Sequence, residues 1–432
     1  MDSALSSTAA PVTVLPPPEA APQAPPPRDP PASRSGTGRL GWLDALRGLA
    51  ALVVAVHHAM GEYTYPAREA MTEWFDPGAF GILVFFLVSG YIVPASLERT
   101  GDVRRFWVSR VFRIYPLLLV ALTAMVLLSV SGVRPLGPHL AGTGPVAAVL
   151  AHLTMMQDLL SVPNAVYVLW TLSYEMAFYL LVVGLFSVGL HRRSASAALT
   201  LTALAIAVVG LARTRMLAEA TGVTPLVVVA FVTMAAAITL ACARRPALMR
   251  AGALLGAALA FTLATLDSRA ATWEGLIILA VMFTGTAIYR AERGQIRWRT
   301  ALLTAAAVLV SAVALGLYEK AAWGAGMTDW GVKRAWASAV VLAALVFAGG
   351  MLLRDRRMPG WLVWLGVVSY SVYILHPVLL EAMTHVFGKP VHQQPLVIVV
   401  FLGLLLAASQ LTYRLVEKPM QELGRKVARR LG

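Results

Sequence analysis

From residue 43 almost to the C-terminus the chain alternates apolar runs of about 20 residues with short polar breaks, and roughly 20 helical residues at about 1.5 Å each are what a hydrocarbon core requires. About twelve runs can be drawn, at 43–61, 79–97, 115–131, 166–190, 197–212, 223–243, 249–266, 273–291, 300–318, 332–353, 361–382 and 395–416. Backbone polar groups in lipid have to be satisfied within their own segment, so each run predicts a helix. Alternating ten-residue strands of a barrel are absent. The predicted fold is all-α, a polytopic transmembrane bundle of about 12 spans. The short Ala-rich runs between 197 and 266 can merge, which makes the range about 10 to 12.

Charge then orients the bundle. Arginines fill every second break: Arg104, Arg105, Arg110 and Arg113; Arg192 and Arg193; Arg244, Arg245 and Arg250; Arg290, Arg293, Arg297 and Arg299; Arg354, Arg356 and Arg357; and Arg425, Lys426, Arg429 and Arg430. The intervening breaks are mixed or acidic, as at Glu62, Glu69, Glu73 and Asp76. The positive-inside rule therefore puts both termini in the cytosol, with the chain in the inner (plasma) membrane. The formal charge of +14 is a topology signal spread over loops, and nucleic acid is not an expected partner. Composition agrees with a lipid solvent, at 58% hydrophobic and 13% charged. The single cysteine, Cys242, excludes an intramolecular disulfide and carries no assigned role.

Ten of the 25 prolines fall in residues 1–39, which read as a disordered Pro/Ala-rich cytosolic tail without the apolar core of a signal peptide. Residues 40–420 form the membrane domain and 421–432 a basic cytosolic tail.

The sharpest chemistry lies in the first helix, LDALRGLAALVVAVHHAM. Arg47 and His58 are eleven residues apart, about three turns plus 20°, so they share a face with a rise of about 16 Å between them. Small residues, Ala51 and Val54, lie between. An ionisable group inside a membrane helix is costly and reads first as functional, and His is the side chain suited to proton transfer near neutrality. His58 is the candidate general base. The plainer alternative is an interhelical hydrogen bond for His58 or His57, with Arg47 anchoring the helix at the interface. His57 projects about 100° away from His58, which predicts a different role for it.

These residues resemble the acyltransferase-3 family of membrane acyltransferases, in which an Arg and a His separated by ten residues mark the first helix. The similarity continues in FFLVSGYIV at 85–93, SRVFRIYPLLL at 109–119, LWTLSYEMAFYLL at 169–181, LGVVSYSVYILHP at 365–377 and YRLVEKP at 413–419. The resemblance implies acyl-CoA as donor substrate, with no permanently bound cofactor, a membrane-embedded or extracytoplasmic acceptor hydroxyl, and Arg47 and His58 as essential residues.

Other groups fall into place around that pair. Arg110 and Arg113 match a family block, with Arg105 and Arg104 beside them; Arg forks bind phosphate oxygens bidentately, and coenzyme A offers a pyrophosphate and a ribose phosphate. The plainer reading is a topology signal touching anionic lipid. Glu175 lies inside the fourth span with Thr171 and Tyr179 one turn away on its face, and three uses stay open to it: orienting His58, holding acceptor hydroxyls, or balancing an Arg. Many relatives carry two adjacent acids at this block, whereas here Glu175 is followed by Met176, which resembles the exopolysaccharide-acetylating branch more. Trp170 lies near the outer opening, where an aromatic could stack on a sugar. Tyr370, Tyr373 and His376 follow at intervals of three in the eleventh span, His376 at a depth comparable with His58, as acceptor contacts, an alternative base, or packing. Glu417 reads as structural. There is no HExxH, GxSxG or Walker motif, and no metal site is expected.

The expected activity is acyl transfer, acetyl in the first instance, from cytosolic acyl-CoA to a hydroxyl of a carbohydrate-containing acceptor such as an exopolysaccharide. The pantetheine arm is expected to run along the small-residue face of the first helix, and direct transfer is simpler than a covalent enzyme intermediate. The sugar of a secreted small molecule such as a macrolide is the alternative acceptor. A transporter or flippase is the rival class, since buried Arg, His and Glu also mark substrate pathways, but no inverted repeat supports it.

Overall fold

The computed structural model describes residues 41–133, 140, 142–210, 214–321, 328–388 and 393–430, and the proline-rich segment 1–39 lies outside the described residues. Every regular element described is helical. The chain opens with α1 (Gly41–Tyr63), a short α2 (Tyr65–Thr72), α3 (Pro77–Thr100) and α4 (Val103–Val130). A short α5 (Pro145–Thr154), one the apolar pattern does not announce, precedes two 3-10 turns and α6 (Trp170–Ser187). The middle of the chain gives α7 (Ser194–Val208), α8 (Met216–Thr221), α9 (Val223–Ala241), α10 (Pro246–Leu266), α11 (Thr272–Glu292), α12 (Trp298–Glu319) and α13 (Asp329–Leu352). It ends with α14 (Gly360–Val367), α15 (Ser369–Phe387), α16 (Pro395–Thr412), a π turn at Tyr413–Glu417 and α17 (Lys418–Arg430).

Among the described residues 10 helices are long and apolar enough to cross a membrane, and 11 when the pair α14 and α15, bent by 64°, is taken as one span. Helix α7 falls on the run expected at 197–212 and is not one of these helices. Its 15 residues reach about 22 Å, short of a hydrocarbon core of about 30 Å. It starts after Arg192 and Arg193, and the following α8 donates Ala218 N–H to Asp267 at 2.8 Å, at the opposite end of the bundle.

The two ends are chemically distinct. At one, Arg290 pairs with Glu98 and Arg354 with Glu292 at 3.3 Å. At the other, Lys320 meets Glu274 at 2.7 Å and Arg269 meets Asp158 at 3.8 Å. Arg104, Arg105, Arg110 and Arg113 lie on α4 itself rather than in a loop, because Asp102 caps that helix by accepting from the N–H groups of Arg104 and Arg105. Residues 418–430, which include the basic stretch expected as a tail, form α17, whose Gly424 seats on Phe112 of α4.

Helices α1, α3, α6 and α11 form the interior; 83% of the apolar window of α11 is buried against 22% for α9, which faces the lipid side. Close backbone approach is what fixes their positions. A Cβ on Gly48 would lie 2.7 Å from the Gly366 nitrogen, and one on Gly366 would lie 2.0 Å from the Asp44 carbonyl oxygen, so α1 and α14 cross on small residues as membrane helices do. Pro94 within α3 leaves the Gly90 carbonyl without its helical donor, and Thr286 Oγ1 of α11 donates to it at 2.8 Å.

Candidate active site

Three cavities run in series through this interior. The first, about 690 Å³, is lined by Arg47 of α1, Ile82, Phe85, Phe86, Ser89 and Ile92 of α3, Arg110 and Arg113 of α4, Thr171 and Glu175 of α6, and Tyr370 and Tyr373 of α15. The second, about 720 Å³, holds His57, His58, Asp76, Tyr167, Trp170, Glu274, Lys320 and Trp336, and shares Ile82 and Tyr373 with the first. A third, about 920 Å³, is lined by Asp158, Asn164, Tyr167, Trp170, Arg269 and Glu274, and shares Tyr167, Trp170 and Glu274 with the second. We call them the arginine chamber, the histidine chamber and the outer cleft.

The arginine chamber brings together four expected charged residues from three helices. Arg110 is buried at 6% exposure, donates to Ser96 Oγ at 2.6 Å and lies over the rings of Phe106 and Tyr179 at 5.1 and 5.3 Å. Glu175 Oε1 accepts from Tyr179 OH, and Ser89 Oγ lies 3.5 Å from it. Three guanidinium groups thus face one carboxylate of the lining, an excess of positive charge that favours an anionic ligand. Glu175 sits here with the arginines and not beside His58, so of its three possible uses the geometry favours charge balance. Tyr370 also lines this chamber, with its hydroxyl donating to the Ile114 carbonyl at 2.9 Å, and not the acceptor side. Arg105 lines none of the three cavities; its Nε is 3.4 Å from Asp102. Glu417, carried inward by the π turn, is buried and accepts from Ser371.

His58 faces the histidine chamber, and its neighbours fix its tautomer. Its Nδ1 is 2.9 Å from the Val54 carbonyl and 3.2 Å from His376 Nε2, while His376 Nδ1 is 3.2 Å from the Val372 carbonyl. A carbonyl only accepts, so both Nδ1 atoms carry protons and His376 Nε2 offers its lone pair to His58. The basic nitrogen of His58 is then Nε2. His376 is wholly buried, stacks on His58 with ring centroids 5.1 Å apart, and lines none of the three cavities, a placement that suits positioning His58 rather than touching the acceptor. His376→Gln is expected to lower kcat roughly tenfold, about the worth of one buried hydrogen bond, with both KM values unchanged; a kcat and KM measurement on the variant checks it.

His57, one helical position from His58, lines the same chamber, with ring centroids 5.3 Å apart, but has different partners: Arg68 Nη2 donates to its Nε2 at 3.4 Å. The chamber is wide enough to span the angle between adjacent helical positions. The small residues of α1 form only part of the path from Arg47: Val54 borders the histidine chamber, while Ala51 lines none of the three cavities. Ala51 is fully buried, and a Cβ on Gly81 of α3 would meet Val54 at 2.5 Å and the Ala50 carbonyl at 2.9 Å. That face packs α1 onto α3, and Ile82, Phe85, Phe86 and Ser89 of α3 line most of the route.

Trp170 lines both the histidine chamber and the outer cleft. Around it Lys320 pairs with Glu274 and Arg269 with Asp158, the latter also accepting from Asn164 at 3.2 Å, while Asp76 of the histidine chamber accepts from the Ala79 N–H. Burial raises the Asp158 carboxyl above its ordinary range, against the pull of Arg269. Sequence reasoning did not single out Ser89, Tyr167, Asn164 or Lys320. Ser89 was findable, being the one hydroxyl-bearing aliphatic position in FFLVSGYIV; the others sit in loops or helix ends that only the fold brings together.

Comparison with known proteins places this architecture. The chain is 30% identical over 151 residues to the acyltransferase MdmB of Streptomyces mycarofaciens, covering 33% of this chain and 38% of that one. It is 24% identical over 152 residues to the peptidoglycan O-acetyltransferase OatA of Listeria monocytogenes, covering 32% and 23%. A putative acetyltransferase, ORF330, of Acidianus two-tailed virus is 27% identical over 137 residues, covering 32% and 38%. The chain thus spans well under half the length of these curated relatives, and no solved structure matches. The model of the acyltransferase-3 family, described as an acyltransferase domain, matches residues 40–414. With that match running through every helix that builds the three cavities, this multi-pass membrane protein belongs to the acyltransferase-3 family.

Proposed function

We propose that the protein is an O-acyltransferase of the plasma membrane that moves an acyl group, acetyl in the simplest case, from cytosolic acyl-CoA to a hydroxyl of a carbohydrate-containing acceptor. The observation that carries this reading is the contrast between two chambers that meet at Ile82 and Tyr373: one with excess positive charge, the other with His58, aromatic walls and two carboxylates, Asp76 and Glu274, to one amine, Lys320. By the positive-inside rule the arginine chamber belongs to the cytosolic side. Its cations suit the phosphates and amide carbonyls of coenzyme A, with Arg47, Arg110 and Arg113 as the holding residues. On the other side Trp170 offers a face for a sugar ring, and the paired carboxylates and Asn164 offer acceptors for its hydroxyls. The glycan named in the OatA relative supports that class of acceptor.

In the reaction, His58 Nε2 takes the proton of the acceptor hydroxyl as its oxygen attacks the thioester carbonyl. The tetrahedral intermediate collapses, the C–S bond breaks, and the departing CoA thiolate recovers the proton from His58. The ester stays on the acceptor and no covalent enzyme intermediate is needed. Preorganisation of Nε2 through His376 and Val54 keeps the base in one orientation.

Free thiol release from acetyl-CoA by the protein in nanodiscs, with and without added glycan, tests the reading; no release with any glycan would overturn it. Arg110→Gln with Arg113→Gln is expected to raise the acetyl-CoA KM at least about tenfold, because each lost charge-assisted contact costs about 1.5–3 kcal/mol, and to leave acceptor KM unchanged.

A further inference from the structure

The arginine and histidine chambers lie along opposite halves of α1, at Arg47 and at His58, and have only Ile82 and Tyr373 in common. A pathway continuous across the membrane would leak ions and protons, so whatever separates the chambers in the empty protein has to be tight. We propose that Tyr373, seated against Ile82, is the septum of this protein: a side chain that closes the route between the two compartments until a donor arm displaces it.

Three elements hold the ring across the junction. Its hydroxyl lies 2.9 Å from Thr171 Oγ1 of α6 and 3.3 Å from the Val168 carbonyl in the 3-10 turn before that helix. Phe85 of α3 meets its face edge-on at 5.3 Å. Tyr373 is 6% exposed although it borders both cavities, as a partition would be. Its two hydrogen bonds are to a hydroxyl and a carbonyl, partners that a polar arm could replace, so the ring can be turned aside without stranding a charge. The carrying observation is the shared lining. The inference rests on the proposed function only for which chamber faces the cytosol, and it holds for a donor of any chemistry.

Sided thiol labelling tests it. The one native cysteine is removed with Cys242→Ser, and Ser89→Cys places a thiol in the arginine chamber. A charged, membrane-impermeant thiol reagent is then applied to intact cells, reaching the outer face, and to inverted membrane vesicles, reaching the arginine-rich face. Ser89→Cys is expected to react in inverted vesicles only. Adding Tyr373→Ala is expected to make it react in intact cells as well, whereas Tyr373→Phe, which keeps the ring, leaves labelling one-sided. Ile82→Ala is the second opening variant, used if Tyr373→Ala is not recovered in the membrane. Labelling of the Ser89→Cys parent from both faces, or one-sided labelling that survives both Tyr373→Ala and Ile82→Ala, overturns the septum. Labelling from the outer face alone would instead reverse the assigned orientation and leave the septum standing, so the two failures are distinct.

Discussion

A His58→Ala protein is expected to insert, to bind acetyl-CoA with unchanged affinity and to lose acyl transfer by a factor on the order of 10² to 10⁴, the usual contribution of a positioned general base. The reasoning rests on what the substitution leaves alone. His58 lines the histidine chamber and makes no contact with the guanidinium groups of the other chamber, so donor binding has no reason to change. Its packing partners are Tyr167 at 4.8 Å and His376 at 5.1 Å between ring centroids, both anchored by their own helices or turns. His57 borders the same chamber, but Arg68 already donates to its Nε2, and it is not expected to replace the lost base. Thiol release and calorimetric acetyl-CoA binding on the same preparation separate the two effects. A well-folded variant with parental turnover would remove His58 from the mechanism.

The second large effect is structural. Gly366→Val is expected to prevent α1 from seating and to leave little folded protein in the membrane. Even a single Cβ at this position would lie 2.0 Å from the Asp44 carbonyl oxygen and 2.3 Å from its carbon, atoms of helix backbone that cannot rotate away. Overpacking ordinarily costs about 1–3 kcal/mol when side chains can adjust, and here only movement of whole helices would relieve it. Since α1 carries Arg47 and His58 while α15, just beyond Gly366, carries Tyr373 and His376, any surviving protein is expected to lose activity by separating His58 from His376. Detergent-stable yield in size-exclusion chromatography reads the first consequence, and thiol release reads the second.

Much of this arrangement was legible from residue pattern because the lipid solvent imposes simple rules. Length and apolarity marked ten of the spans and, as a bent pair, an eleventh. Arg47, Arg110, Arg113 and Glu175 were each legible as an ionisable residue in or beside an apolar run, though not as one group. What was not legible had physical causes. Helix α5 is only 10 residues long, and the bend between Val367 and Ser369 leaves the hydropathy of 361–382 unbroken. The small residues of α1 carry the same signature whether they line a path or pack a helix, and only the fold shows Ala51 packed and Val54 both seated against Gly81 and bordering the histidine chamber. Periodicity places Tyr370 and Tyr373 on a broad common face, yet Tyr370 is tied to the Ile114 carbonyl while Tyr373 stands between chambers. The outer cleft joins loop residues near 160 to a loop near 270, a pairing no local pattern encodes.

The two-sided reaction is tested in inverted vesicles, whose outer surface presents the arginine-rich end, loaded with a glycan fraction from the cells that make the protein. Acetyl-CoA carrying a labelled acetyl group, added outside, is expected to release free thiol outside and to leave alkali-labile label on the enclosed glycan, with neither product formed by His58→Ala. Label on glycan supplied outside, with none on the glycan within, would contradict transfer from the arginine chamber to the outer cleft.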